Sequence, residues 1–146
     1  MTLTEYDPIA AQAVDLWYHQ HRPSWHWLLQ HIKVVPNGWL QRVLNQGAVA
    51  TSRTINIRGS YSDLPFKSRD RALFLVHELR HLEQWERYGT GGFLWRLCWE
   101  IISTLSYENT PIEQEAEAQD PEFLSWYDHW GRVNDPTFFA YVGGLC

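Results

Sequence analysis

The stretch from Ser68 to Tyr88 constrains the chain more than any other. Ala72, Leu75, Val76, Leu79 and Leu82 recur there at helical spacing, which predicts an amphipathic helix with one apolar stripe. Gly89, Gly91 and Gly92 follow and predict its end. A helix of that length with a single apolar face must lie on a core supplied by the rest of the chain. The 146 residues are enough for one domain, burying roughly two-thirds of the unfolded surface. With 45% hydrophobic and 20% charged residues, the composition is that of a folded chain, not a disordered one.

The remaining segments read as mostly helical. Pro8 to His21 predicts a helix through Ile9, Ala13, Leu16 and Trp17, ended by Pro23. Ser24 is placed to cap a short helix carrying Trp25, Trp27, Leu28 and Ile32. Pro36-Asn37-Gly38 breaks the chain, and Trp39, Leu40, Val43 and Leu44 predict a further amphipathic turn or two, closed by Gly47. From Ala48 to Arg58 the period changes to two. Val49, Thr51, Arg53, Ile55 and Ile57 share one side, which predicts a single strand, and the Gly59 to Pro65 segment predicts a loop. Phe93 to Tyr107 is apolar almost all round, so a central core helix is expected, in preference to one lying on a membrane surface. Thr110-Pro111 predicts a helix start, Asp120-Pro121 an interruption, and Phe123 to Trp130 a last short helix. The expected fold class is therefore mainly α with a small β element, in one domain over residues 1–146.

Charge and cysteine content narrow the function classes. With 12 basic and 17 acidic residues the formal charge is -5, which argues against a nucleic-acid partner. Cys98 and Cys146 are too few for a disulfide framework or a four-cysteine zinc site. No apolar run is long enough for a transmembrane segment. Glu5, Asp7 and Asp15 leave the first residues without a signal-peptide pattern. A cytoplasmic location is expected.

Inside the strongest helix lies His77-Glu78-Leu79-Arg80-His81, the pattern H-E-x-x-H. Residues four apart share a helix face, so both imidazoles can reach one metal ion. Glu78, about 100° round the helix, points beside that ion, where it can act as a base toward an attacking water. A catalytic Zn2+ needs a third protein ligand and one open position. The acidic segment Pro111 to Glu117 offers Glu113, Glu115 and Glu117, and spacing does not choose among them. Thr110-x-x-Glu113 also reads as a capping box, in which Glu113 bonds only the helix start.

His77-Glu78-Leu79-Arg80-His81-Leu82-Glu83-Gln84-Trp85, followed by Tyr88-Gly89, and Asn109 to Ala116 resemble the zincins whose third ligand is glutamate. More closely, they are similar to a small predicted metallopeptidase domain associated with bacterial extracellular contractile injection systems. The resemblance covers about residues 48–120, with residues 1–47 and 121–146 flanking it. One residue is inserted in Asn109-Thr110-Pro111, and Glu117 stands where that family often has Asp. The resemblance implies a minimal zincin-like fold with an active-site helix, a preceding strand and a second helix that gives the third ligand. It implies His77, His81 and Glu113 as metal ligands, Glu78 as general base and Zn2+ as cofactor.

The resulting expectation is a zinc-dependent metallopeptidase acting on a peptide or protein substrate held along the Val49 to Arg58 strand. The alternative is a non-catalytic metal-binding structural or interaction domain that docks on a protein partner. His129, Tyr127, Tyr107 and Tyr88 are the candidates for stabilising an oxyanion, and no spacing rule selects one. For His19, His21, His26 and His31, set among Trp17, Trp25 and Trp27, helix packing is expected rather than a second metal site.

Overall fold

The computed structural model describes residues 1–36, 48–51, 53–57 and 68–139. A four-residue helical turn, α1 (Leu3–Tyr6), leads into α2 (Pro8–His21). Asp7 caps α2, accepting from the N–H groups of Ile9 and Ala10 at 3.0 and 2.9 Å, and Pro8 takes the first helical position, where its missing N–H costs nothing. The same carboxylate accepts from Ser68 Oγ at 3.1 Å and from Arg71 at 3.3 Å. One side chain therefore fixes the starts of two long helices against each other.

After α2 the chain makes a 3₁₀ helix (Pro23–Gln30) rather than the expected Ser24-capped α-helix. Arg22 precedes it without a side-chain cap. Strands β1 (Lys33–Pro36), β2 (Ala48–Thr51) and β3 (Thr54–Ile57) form a sheet of order β1-β3-β2. β1 runs parallel to β3, with Val34 beside Ile55, and β2 runs antiparallel to it, with Thr51 beside Thr54. The single strand expected from Ala48 to Arg58 is thus a hairpin. The sequence between the two strands lacks the Asn or Gly that announces a tight hairpin, and the expected common side is broken: Arg53 is exposed while Ile55 and Ile57 are buried. Central strand β3 is covered on both sides, since Asn56 is buried as well. β1 was not anticipated; four residues are too few to show a period.

The long helix α3 (Ser68–Thr104) contains one break, at Gly89, with φ 71 and ψ 164. A side chain is strained at that φ. The expected end of the helix is therefore a kink, after which the chain resumes a helix that includes Gly91 and Gly92. Helix α4 (Pro111–Glu117) starts at Thr110 as anticipated, and α5 (Asp120–Asn134) is longer than the Phe123 to Trp130 segment expected. Among the described residues no helix is long and apolar enough to cross a membrane. Trp39 to Gly47, Arg58, the Gly59 to Pro65 segment and Cys146, for which the sequence gives expectations, lie outside the described residues.

The molecule is mainly helical with this small sheet. Its core gathers Trp17 and Tyr18 of α2, Val34, Ile55 and Ile57 of the sheet, Leu75, Leu79 and Leu82 of α3, and Phe123 and Tyr127 of α5. A smaller cluster of Trp85, Phe93 and Ile112, flanked by Tyr88 and Leu97, joins the two halves of α3 to α4. The expectation that Phe93 to Tyr107 is a central core helix is overturned. Leu94, Trp95, Trp99, Ile102 and Leu105 are exposed, because the kink at Gly89 leaves only the Phe93 and Leu97 side against the body. The tryptophans divide accordingly: Trp17 and Trp85 are buried, while Trp95 and Trp99 face out.

Candidate metal centre

His77 and His81 project from one face of α3, as their four-residue spacing requires. Their rings lie 5.0 Å apart between centroids, at 81°. Glu113 comes to meet them from the first turn of α4. Its Oε1 lies 3.0 Å from His77 Nε2 and its Oε2 3.1 Å from His81 Nε2. One ligand atom from each residue falls within 4.8 Å of the others.

The three acidic candidates are separated by what each side chain touches. Glu113 accepts no bond from the helix start: Thr110 Oγ1 receives the Glu113 N–H at 3.3 Å, but the carboxylate turns to the histidines, so the expected capping box is only half made. Glu115 is engaged elsewhere, by Arg87 at 2.9 Å, Gln84 at 3.1 Å and Arg80 at 3.3 Å. Glu117 is exposed.

The donor set fits a divalent ion such as Zn2+, which takes imidazole nitrogen and carboxylate oxygen at about 2.0–2.2 Å. Tetrahedral donors at that radius sit roughly 3.3 Å apart, and one donor atom from each of the three residues already lies within 4.8 Å of the others. Glu113 Oε2 is buried and accepts no well-aligned hydrogen bond despite its closeness to His81. Such an orphaned acceptor is costly without a positive partner. Behind the rings, the far nitrogens are also provided for. His81 Nδ1 is 3.0 Å from Gln84 Oε1, whose amide donates to the Ile112 carbonyl at 2.9 Å. His77 Nδ1 is 3.7 Å from Asp120 Oδ2. Outer partners of this kind hold ligating imidazoles in orientation.

The charges are tightly coupled. Burial works against protonation of His77, but Asp120, Glu113 and the charge of Glu78 outweigh it and push its pKa up to about 10. His81 is likewise raised: burial opposes the charge, and Glu113 and Glu78 prevail. Burial would raise the Glu113 carboxyl, yet the two imidazoles hold it well below the usual carboxylate range. The site therefore favours the charged form of both imidazoles around the Glu113 carboxylate, and a cation that enters competes with protons. Burial pushes the Glu78 carboxyl up, against the opposing charges of His81 and His77 and a bond from the Ala50 backbone. Glu78 is 7% exposed.

Of the four residues considered for oxyanion stabilisation, Tyr107 is the one that reaches the centre. Its hydroxyl lies near Glu113, and desolvation with the nearby Glu113 and Glu78 charges raises its pKa, so it stays protonated. Tyr127 is buried and donates to Asp135 at 2.8 Å, Tyr88 packs under Arg96, and exposed His129 lies 3.2 Å from the Ser125 carbonyl. Of the other histidines, His21 stacks on Trp17 and His26 pairs with Asp15 at 2.8 Å. Asp120 was not among the residues expected at the site. It lies 43 positions beyond His77 and carries no spacing signal, whereas Gln84, three residues after His81, can be read from helical geometry.

The fully buried carboxylate of Glu83 sits on the other side of α3. It is held by Arg22 through Nε at 2.8 Å and by Arg80. Arg80 continues to Glu115, and Glu115 to Gln84. A charged chain therefore runs from the end of α2 to the partner of His81. No family model, curated protein or solved structure matches the chain.

Proposed function

We propose that this chain is a zinc-dependent metallopeptidase acting on a peptide or protein substrate in the cytoplasm. The observation that carries the reading is the convergence of His77, His81 and the Glu113 carboxylate from two helices, with the buried carboxylate of Glu78 beside them. His77, His81 and Glu113 would hold the ion. Bound there, Zn2+ supplies Lewis acidity toward a carbonyl oxygen and toward water. Glu78 serves as the base: its burial keeps its pKa raised, so it takes a proton from the attacking water and hands it to the leaving amine. Tyr107, still protonated, donates to the oxygen on which charge develops. Gln84 keeps the His81 imidazole turned toward Glu113, and the Asp120 carboxylate, 3.7 Å from His77 Nδ1, favours the same orientation of His77 through its charge. The exposed, unbridged thiol of Cys98 suits a reducing compartment.

A second reading, a metal-binding structural or interaction domain without turnover, draws on Ala50. It lies on the edge strand β2 that a substrate backbone would extend. Its N–H is engaged by Glu78 and its carbonyl accepts from Trp85 Nε1 at 3.2 Å. Those groups are not free for a peptide, and the base is partly committed.

The deciding experiment measures metal content and cleavage of a diverse peptide library, with and without chelator, for wild type and Glu78→Gln. A peptidase keeps its metal in Glu78→Gln and loses turnover by a factor of roughly 10²–10⁴. Chelator-sensitive cleavage undiminished in Glu78→Gln refutes the mechanism. Metal bound with no cleavage by wild type supports the second reading.

A further inference from the structure

Beyond Gly89, α3 is amphipathic in an inverted sense: its larger apolar face looks outward. The inner side carries Phe93 and Leu97, which join Trp85 and Ile112, and Glu100, which accepts the Ile112 N–H at 3.0 Å. At about 100° per residue, Leu94, Trp95, Cys98, Trp99 and Ile102 fall on the opposite arc, and exposed Leu105 follows just past the helix end. Leu94 is 46% exposed, Trp95 75%, Trp99 63%, Ile102 67% and Leu105 90%. None of the six is charged, and the nearest charges, Arg96 and Glu100, pair with each other at 2.7 Å on the inner flank.

We propose that this face is a homodimer interface, packing against the same face of a second copy of the chain. Size is the first argument. The exposed fractions of two tryptophans and three aliphatic side chains amount to on the order of 500 Å² of apolar surface. A stable interface takes roughly 800 Å² from each partner, about 60% of it apolar. One copy thus supplies the apolar share of one such interface. Charge is the second argument. The chain carries a formal charge of -5, so contact through a charged face would set like charges against each other, and this uncharged arc is a face that avoids it. The same balance disfavours an anionic membrane, because Arg96, the basic residue of this stretch, is paired with Glu100. Shape is the third argument. A two-fold axis near Cys98 and Trp99 runs the paired helices antiparallel and sets Trp95 of one copy against Ile102 of the other, so the contact closes as a dimer. The inference does not depend on the metal reading.

Sedimentation equilibrium of the full chain over about 1–100 µM, with maleimide labelling of Cys98, tests it. The wild type should be dimeric across most of that range. Trp95→Glu and Ile102→Glu replace exposed side chains and should leave the far-UV spectrum and metal content unchanged. Each should weaken the dimer at least about 30-fold, as loss of an interface anchor does, and speed Cys98 labelling. A wild type that stays monomeric at the highest concentration overturns the proposal, as does a dimer whose affinity both variants leave within about threefold. A monomer that floats with neutral phosphatidylcholine vesicles assigns the face to lipid and equally overturns it.

Discussion

Glu113→Gln is the substitution that separates a metal ligand from a helix-start residue. The amide keeps the size of the side chain and leaves its backbone N–H on Thr110, 3.3 Å away, so α4 should still form. What disappears is the negative charge 3.0 Å from His77 and 3.1 Å from His81. Binding of a structural zinc by its whole ligand set is worth about 10–16 kcal/mol, so one ligand in four accounts for roughly 3 kcal/mol, or on the order of 100-fold in affinity. A second effect follows from protons. Glu113 raises both imidazoles, so the wild type should release up to two protons when zinc enters at neutral pH, and its affinity should fall as the solution is made more acid. Glu113→Gln lowers both imidazoles and should release fewer. Titration calorimetry in buffers of different ionisation enthalpy measures affinity and proton count together. Glu115→Gln and Glu117→Gln are the controls, since Glu115 is held by Arg87, Arg80 and Gln84 and Glu117 is exposed. Equal affinity losses in Glu113→Gln and Glu115→Gln, or an unchanged proton count in Glu113→Gln, would refute the assignment.

Two further outcomes concern stability. Glu83→Gln leaves Arg22 and Arg80 facing a neutral group in a fully buried position. Breaking such a pair costs about 3–5 kcal/mol, so the thermal midpoint should drop by roughly 10–15 °C, and calorimetry showing a shift within a degree or two would remove Glu83 from the framework. The ion-free protein should lose stability toward alkaline pH. The His77 pKa is raised from the ordinary 6.5 to about 10, so its contribution is complete below 6.5 and is lost as pH rises through about 10. Glu113 is depressed from 4.5, so its contribution is complete above 4.5 and is lost as pH falls below it. Chelated protein should therefore melt highest between these ordinary values, 4.5 and 6.5, and the alkaline decline should shrink in His77→Ala; an undiminished decline in that variant argues against the coupling.

The local chemistry of the chain determined what depends on near neighbours. Asp7-Pro8 starts α2, Thr110-Pro111 starts α4, and both do so through bonds spanning two or three residues. The His77 and His81 spacing put two rings on one face whatever surrounded them, and Gly89 interrupts the helix because φ 71 favours glycine. Tertiary structure decided the rest. Glu113, Glu115 and Glu117 are equivalent by composition. Glu113 meets the histidines because Ile112 packs with Trp85 and Phe93, and Gln84 grips the Ile112 carbonyl, which together set the rotation of α4. Glu83, an ordinary polar residue by pattern, is buried because Arg22 and Arg80 arrive from either side. The apolar run after Gly89 reads as core, since hydrophobicity alone does not say what an apolar face will meet. Only the angle of the kink determines that Phe93 and Leu97 turn inward while Trp95, Trp99 and Ile102 face outward.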